Sequence, residues 1–400
     1  MAVTGREITV LGGGVAGLAA ALALAQRGAR VTVLEKAPEI AEVGAGLQIS
    51  PNGARVLRAL GLGEPLARAG VPGAAVELRD GLGGGCVLRL DLAARAHDGG
   101  YHFLHRADLI DLLHTAAHAA GVEIATGAQV LRAVPGPRGV RLEMADGTAR
   151  HAGFLVGADG LRSVLRGALN PAAAPFFTRQ VAWRAVIPQD AGQPGAADPV
   201  AQVFMAPGRH LVSYPLRAGR LRNIAAFEER DAWAEEGWHH TGDPDAFRTA
   251  FAGLGGPVPG WLEAVERVHV WGLFRHDVAP RWHGPCCALI GDAAHPTLPF
   301  MAQGANMALE DAWTLVAALD GPMDGSGEDA ALAAWQAVRR PRCAAIVAAA
   351  GRNARLYHLS GPMRPLAHTA LRLGGTVAPD LPLRRFDWIY AHDVTAGPGG

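Results

Sequence analysis

This chain has no excess charge of either sign. Its 37 Lys and Arg balance 37 Asp and Glu, and charged residues make up only 18% of the 400 positions. No basic run interleaved with aromatics occurs, so no nucleic-acid partner is expected. Long hydrophobic runs are missing too. The longest, within Ile8–Lys36, is Gly-rich and closed by Gln26 and Arg27, which is short of a membrane span. Arg6 and Glu7 stand where a secretory leader would need its apolar core, so export is not expected. Cysteine is scarce, and Cys86, Cys286, Cys287 and Cys343 have neither C-x-x-C nor metal-ligand spacing, so no metal is expected. The adjacent Cys286 and Cys287 lie in a strand-like run and read as small buried residues rather than a redox pair. A reducing cytoplasm is the expected compartment.

What the chain does have is apolar residues, 50% of the total, and 52 glycines. With that apolar share, a chain this long suggests about two domains around a sizeable core. The stretch Ile8–Lys36, ITVLGGGVAGLAAALALAQRGARVTVLEK, organises the rest. An apolar strand runs into Gly12, Gly14 and Gly17 in the order G-x-G-x-x-G, a helix follows, and a β-branched strand ends at Glu35. An acid about 20 positions past the glycines completes the context that a dinucleotide fingerprint requires. Gly12 permits the sharp turn, Gly14 lets backbone approach a pyrophosphate, and Gly17 lets helix pack on strand. The helix N-terminus favours the phosphate charge, and Glu35 is placed to accept hydrogen bonds from a ribose.

Further along, a glycine-rich loop from Val43 becomes a helix capped by Ser50 with Pro51 in its first turn. Ala75–Arg79 and Cys86–Leu92 read as a hairpin around Gly81–Gly85, and Ala107–Ala120 as an amphipathic helix. In FLVGADGLRSVLR, a strand from Phe154 ends at Gly157 and Asp159 follows; alone, this is equally a ligand-facing carboxylate or a helix start. Between Phe176 and Glu229 the helix–strand alternation stops, and strands near 181–187, 201–205, 210–216 and 222–227 read as an antiparallel sheet. Alternation puts His210, Val212 and Tyr214 on one face, and Leu211, Ser213 and Pro215 on the other. Whether the first face meets solvent or a pocket is open from alternation alone. His239, His240 and His276 lie in polar contexts and read as surface positions. A second strand-to-aspartate turn, CCALIGDAAHP, ends in Gly291-Asp292. A loop then leads to a long helix from Gly304, whose first N–H groups, at Gly304, Ala305 and Asn306, form a second anion site. The segment Ala330–Leu359 reads as helical with a break at Pro341, and the tail from Gly361 as irregular.

Together GGGVAGLAAA with Glu35, GADGLRSVLR, GDAAHPTLPFMAQGANMALEDA and the tail FDWIYAHD resemble the fingerprints of FAD-dependent aromatic-ring hydroxylases of the para-hydroxybenzoate hydroxylase fold. Within these the chain is most similar to the salicylate, hydroxybenzoate and hydroxynicotinate hydroxylase branch. The resemblance implies an α/β fold: a Rossmann-like FAD-binding domain with an inserted antiparallel β-sheet substrate domain and a helical C-terminal region. The expected boundaries are 1–73, 101–175 and 281–325 for the FAD-binding parts, 74–100 for a hairpin on the substrate side, 176–280 for the substrate domain and 326–400 for C-terminal helices and tail.

By the same resemblance, Gly12, Gly14, Gly17, Glu35 and Lys36 hold the ADP half of FAD, Arg106 its phosphate or ribitol region, and Val130 the adenine through its backbone. Asp159 serves flavin and NAD(P)H, Asp292 the ribityl chain, and the helix at Gly304, Ala305 and Asn306 the flavin's pyrimidine edge. No second Rossmann fingerprint exists, so NADH or NADPH binds only transiently. The implied reaction is hydroxylation of a phenolic or hydroxypyridine-type aromatic carboxylate by NAD(P)H and O2 through a flavin C4a-hydroperoxide. His210 is the expected base and Tyr214 its orienting neighbour or stacking partner, the competing reading being a histidine hydrogen-bonded within the sheet. Gln48, Met205, Pro296 and Phe300 are expected to line the pocket, and His295 to support the flavin loop. Phe300 stands where some relatives carry a polar residue that touches substrate, which weakens transfer of any one substrate. Two other functions stay open: an oxygenase or epoxidase of a non-aromatic substrate, and a flavin-binding redox regulator that oxidises NAD(P)H slowly. A homodimer is one open outcome.

Overall fold

The computed structural model describes residues 2–40, 45–92, 100–189, 198–233, 240–321, 327–378 and 381–396. Val43 and His239 lie outside them. A six-stranded sheet has the order His283–Gly284, Cys287–Leu289, Phe154–Gly157, Glu7–Leu11, Arg30–Leu34, Glu123–Ala125. Its pairs are parallel except at the His283–Gly284 edge. Short β-branched runs suit strands covered on both faces. The helix Val15–Gln26 covers one face, and its buried residues include Leu18, Ala19, Ala20, Ala21, Leu22, Ala23 and Leu24. So many small side chains let Arg106–Ala119 and Gly304–Asp320 pack closely against it.

The second large sheet has eight strands in the order Thr241–Gly242, Val268–Arg275, Phe176–Pro188, Leu221–Glu229, Arg209–Leu216, Val200–Ala206, Ala75–Asp80, Cys86–Asp91. One pair departs from the antiparallel expectation: Val200–Ala206 runs parallel to Ala75–Asp80. The 75–91 hairpin comes from far earlier in the chain, so no tight turn forces it antiparallel.

Strand alternation gives this sheet two different faces. On one, Val181, Trp183, Phe204, Leu211 and Ala226 pack on Phe247, Phe251, Val258 and Leu262 of the helical segment beyond. Burying each of those phenylalanines contributes about 1.5–3 kcal/mol. On the other, Ala182, Ala225 and Phe227 join the core of the parallel-sheet unit, and Met205 and Tyr214 pack with Tyr101 and Phe103. His210 and Tyr214 therefore look inward, toward the fingerprint unit.

Three expectations need correction. Pro341 does not interrupt its segment, which forms one 31-residue helix, Gly327–Tyr357. An internal proline costs about 3 kcal/mol, and burial of Leu332, Trp335, Ile346 and Val347 on the same helix offsets more than that. The tail is not irregular: Met363–Val377, Leu381–Arg384 and Asp387–Tyr390 are helical. Pro365 and the Gly374-Gly375 pair masked the period. Gly375 lies where the helix packs on the hairpin: a Cβ there would sit 2.7 Å from Leu88 Cδ1, which would have to shift. His276 is buried rather than on the surface, with Nε2 3.0 Å from the Leu161 carbonyl, while His240 is half-buried. Cys287 and Cys343 are buried, Cys286 half-buried and Cys86 exposed, and all four thiols are free. No described helix is long and apolar enough to cross a membrane.

Candidate active site

The fingerprint turn is built by backbone contact. Gly12 has φ +107°, and a Cβ there would meet the Ala158 carbonyl oxygen at 2.5 Å. A Cβ at Gly17 would lie 1.9 Å from the Gly12 oxygen. Neither position admits a side chain. Around Gly14, by contrast, no protein atom would lie within 4 Å of an added Cβ, so the helix N-terminus opens on that side. Glu35 Oε2 accepts from Gly13 N at 2.6 Å and Oε1 from Ala37 N at 2.8 Å, which fixes the carboxylate beside the turn. Ala128 N donates to the Glu35 carbonyl at 2.8 Å, bringing the strand that begins at Val130 alongside. Lys36 is exposed next to this edge.

The two strand-to-aspartate turns lie side by side, at the ends of the paired parallel strands Phe154–Gly157 and Cys287–Leu289. Asp159 Oδ2 accepts from Val164 N at 2.8 Å, while its Oδ1 is buried without a partner. Burial pushes this carboxyl up to about 6, although Ser163 and Val164 pull against the rise. Asp292 is accessible to solvent yet surrounded by protein, and burial raises it too; His295 and Arg106 oppose the rise. Arg106 begins its helix with its N–H on the Ala45 carbonyl at 2.8 Å.

The helix at Gly304 follows Ala302, which sits in the left-handed region at φ 51°. Its first backbone N–H groups have no partner within the helix. The Asn306 side chain has another task. Its Oδ1 accepts from Ser50 N at 3.0 Å, and its Nδ2 donates to Gln48 O at 3.1 Å and Ala302 O at 2.7 Å. Ser50 holds the cap position of Pro51–Ala59, but its hydroxyl does not cap the helix; it donates to Asn52 Oδ1 at 2.6 Å.

Behind this lies a polar network that the sequence reading missed. Asn52 Nδ2 donates to Glu310 Oε1 at 2.6 Å and to Gln303 Oε1 at 3.1 Å. Arg339, fully buried, donates to Glu310 at 2.6 Å and Asp311 at 2.9 Å, and Arg342 reaches Glu310 at 2.8 Å. His295 is paired with Asp311. His295, Asp311 and Cys343 lie within 4.8 Å of one another, the spacing of a metal site. The Arg339 guanidinium already occupies Asp311 there, so the cluster reads as an ion network. An acid pair, Glu310-Asp311, in the middle of a mostly apolar helix was the available signal.

His210 lies across from these on the large sheet, fully buried. Met205 and Phe227 face it in register from the two neighbouring strands. Phe227 stacks on it at 4.7 Å, Phe300 meets it edge-on at 4.9 Å, and Tyr357 lies 5.2 Å away. Burial, with His358 beside it, holds the imidazole well below its ordinary value, so it is neutral. Its Nδ1 is 2.7 Å from His358 Nε2, and its Nε2 has no partner. Pro296 is buried in the loop preceding Phe300.

Tyr214 is not brought to His210. Four residues along a strand separate them by about 13 Å. Tyr214 packs at 5.2 Å on Phe103 and closes over Gly46, where a Cβ would meet it at 2.7 Å. Burial pushes its phenol up to about 12. Gln48 belongs to this second cluster and accepts from Tyr101 OH at 2.6 Å. Arg184 completes it, with Nη1 on the Gly46 carbonyl at 3.1 Å and Nε without a partner. Burial lowers its pKa, and among the described residues no carboxylate pairs with it.

The family model of the FAD binding domain matches residues 6–350. The 3-amino-4-hydroxybenzoate 2-monooxygenase of Streptomyces cremeus is 37% identical over 364 residues, 89% of this chain and 89% of that protein. The chain belongs to the FAD-dependent aromatic hydroxylases. This hydroxylase is also 34% identical, over 97% of its length and 96% of the relative's, to the 3-hydroxybenzoate 6-hydroxylase of Polaromonas naphthalenivorans. A solved salicylate hydroxylase substrate complex superposes with a TM-score of 0.80 at 26% identity, covering 98% of the hydroxylase and 96% of that chain. These relatives do not favour a non-aromatic oxygenase or a slow redox regulator. The residues present fit FAD: a glycine cradle that side chains would fill, an acid stitched to its rim, and a buried Asp159 oxygen awaiting a donor.

Proposed function

We propose that this hydroxylase oxidises a phenolic or hydroxypyridine-type carboxylate, with NADH or NADPH as electron donor and O2 as co-substrate. FAD, when bound, supplies the reductive activation of O2 and the oxygen transfer. Residues 1–73, 101–175 and 281–325 hold it, with Gly12, Gly14, Gly17, Glu35, Lys36 and Val130 toward the ADP end. Arg106, Asp159 and Asp292 line the middle, and the first turn at Gly304, Ala305 and Asn306 faces the flavin ring. The sheet from 74–100 and 176–280 covers the substrate, and 326–400 closes the back.

The protein's own task is to present an electron-rich ring in a dry site. One observation carries the reading: the buried, unpartnered Nε2 of neutral His210 on the inward face of the sheet. Removing a phenolic proton at that atom raises the ring's nucleophilicity. Met205, Pro296 and Phe300 exclude water around it, and Gln48 and Tyr214 line the far end of the pocket. Arg184, beside Tyr214, is the cation available to a substrate carboxylate.

The test is a panel of hydroxybenzoates, aminohydroxybenzoates and hydroxypyridine carboxylates against the purified yellow protein, with product identification. Faster NAD(P)H oxidation and an extra ring oxygen are expected with at least one. If no member accelerates oxidation, the substrate class is wrong.

A further inference from the structure

His210 is the first of three groups in a row. Its Nδ1 lies 2.7 Å from His358 Nε2, and His358 Nδ1 lies 2.7 Å from Glu229 Oε1. The tautomers follow from the far end. A carboxylate oxygen only accepts, so His358 Nδ1 carries the hydrogen and donates to Glu229. A neutral imidazole has one N–H, so His358 Nε2 is a bare acceptor and takes its hydrogen bond from His210 Nδ1–H. That leaves His210 Nε2 as a lone pair, the same atom that is buried without a partner.

The row also leads outward. The side chains of His210 and His358 are almost completely buried, whereas that of Glu229 is 55% exposed. Three parts of the chain converge to hold it: His210 from Arg209–Leu216, Glu229 from the end of Leu221–Glu229, and His358 just beyond the helix Gly327–Tyr357. The turn at Gly208 ties the last two together. Gly208 N donates to the His358 carbonyl at 3.3 Å, and its own carbonyl accepts from Glu229 N at 2.9 Å. Phe227, Phe300 and Tyr357 surround the inner imidazole, so water has no parallel route to it.

We infer that His358 and Glu229 form the proton exit of the site, a two-residue relay that carries the substrate's phenolic proton from His210 to bulk water. The inference rests on the reading of His210 as base. In the forward direction the substrate O–H breaks as His210 Nε2–H forms. The His210 Nδ1–H then breaks as His358 Nε2–H forms, and the His358 Nδ1–H breaks as a Glu229 O–H forms, which water deprotonates. No electrons are exchanged, and reverse transfer to the product's ring oxygen restores the starting tautomers. The other titratable groups nearby are occupied or inert. Tyr357 is pushed up to about 12 by burial, Glu228 is held by Arg230 at 2.7 Å, and Arg209 is held by the Ala250 and Ala252 carbonyls.

His358 and Glu229 are thus positioning and relay residues rather than catalytic ones. The test mixes FAD-loaded protein with a panel phenol that perturbs the flavin spectrum, and follows proton release with a pH-indicator dye in stopped flow. Wild type is compared with His210→Gln, His358→Gln and Glu229→Gln after a check of melting and FAD content. In His358→Gln the flavin perturbation is expected to persist while proton release slows about tenfold or more. Glu229→Gln, at an exposed position that folds regardless, is expected to slow release about two- to threefold because water substitutes in part. Wild-type release rates in both relay variants, with release lost in His210→Gln, would overturn the relay and leave the base. Unchanged release in His210→Gln would overturn both.

Discussion

His295 and His210 are the same residue type, equally buried, and their neighbours drive them in opposite directions. Burial alone would lower both. For His295, Cys343 and the Asp311 carboxylate outweigh burial and hold the imidazole well above its ordinary value. For His210, the described neighbours are Met205, aromatic rings and the His358 imidazole, with no carboxylate against it, so burial wins. Burial alone therefore does not decide a histidine's charge: with a carboxylate against it the imidazole is held protonated, and without one it stays neutral with a nitrogen lone pair available. The first region saturates its charges and ties His295 and Gly291 to the helix Gly304–Asp320, while the second leaves one acceptor bare.

The sharpest way to break the saturated region is Arg339→Met. Glu310 and Asp311 would remain buried without their main cation, and removing one partner of such a cluster costs roughly 3–5 kcal/mol. Chemical denaturation at neutral pH measures this, and a loss under 1 kcal/mol would show that the network is incidental. The network also sets a pH window. Glu310 is held at about 2, because Arg339 and Arg342 outweigh its burial, and Asp311 is lowered likewise by His295 and Arg339. Their contribution is complete above the unfolded carboxylate value of about 4 and is lost as pH falls toward 2. His295 is raised, so its share is complete below about 6.5 and is lost as pH climbs through its folded value. In Arg339→Met the acid-side fall in melting temperature should move to higher pH.

A paired substitution sharpens the comparison. His210→Gln should lower hydroxylation about a hundredfold while leaving stability nearly unchanged. His295→Gln should do the reverse, costing about 1.5–3 kcal/mol of stability through the lost charged hydrogen bond. The chemical step in any FAD-loaded His295→Gln should proceed at close to the wild-type rate. Single-turnover kinetics and thermal melts on both variants decide it; equal effects on both quantities in both variants would erase the distinction.

How far the sequence foretold this depended on whether a position acts through backbone or through partners. The fingerprint turn was legible because its glycines answer to local clashes, such as the 1.9 Å between a Cβ at Gly17 and the Gly12 oxygen. Strand period put His210, Val212 and Tyr214 on one face, but that this face looks inward became visible only in the packing of Phe227, Met205 and Tyr214. The network of Asn52, Gln303, Glu310 and Arg339 was not legible, because Asn52 meets Gln303 and Glu310 from about 250 residues away and Arg339 reaches Glu310 from a different helix. His358 was missed for the same reason: its role exists only through Glu229 and His210. The 13 Å between His210 and Tyr214 was implicit in strand rise, but a shared face had suggested a shared site.

The two regions differ in their arginines as they do in their histidines, and here the expected effect is smallest. Arg339 is surrounded by acids, whereas Arg184 is surrounded by protein with no carboxylate partner among the described residues. A cation kept in such a place is costly unless a ligand supplies the counter-charge. If that ligand is the substrate carboxylate, Arg184→Met removes a charged hydrogen bond made equally in ground and transition states. KM should then rise about ten- to a hundredfold, the equivalent of ~1.5–3 kcal/mol, with kcat close to unchanged. A phenol lacking the carboxylate controls for this, because its KM should not respond to the substitution. Equal rises for both ligands would assign Arg184 to holding the Gly46 segment in place, through the Gly46 carbonyl it already meets at 3.1 Å.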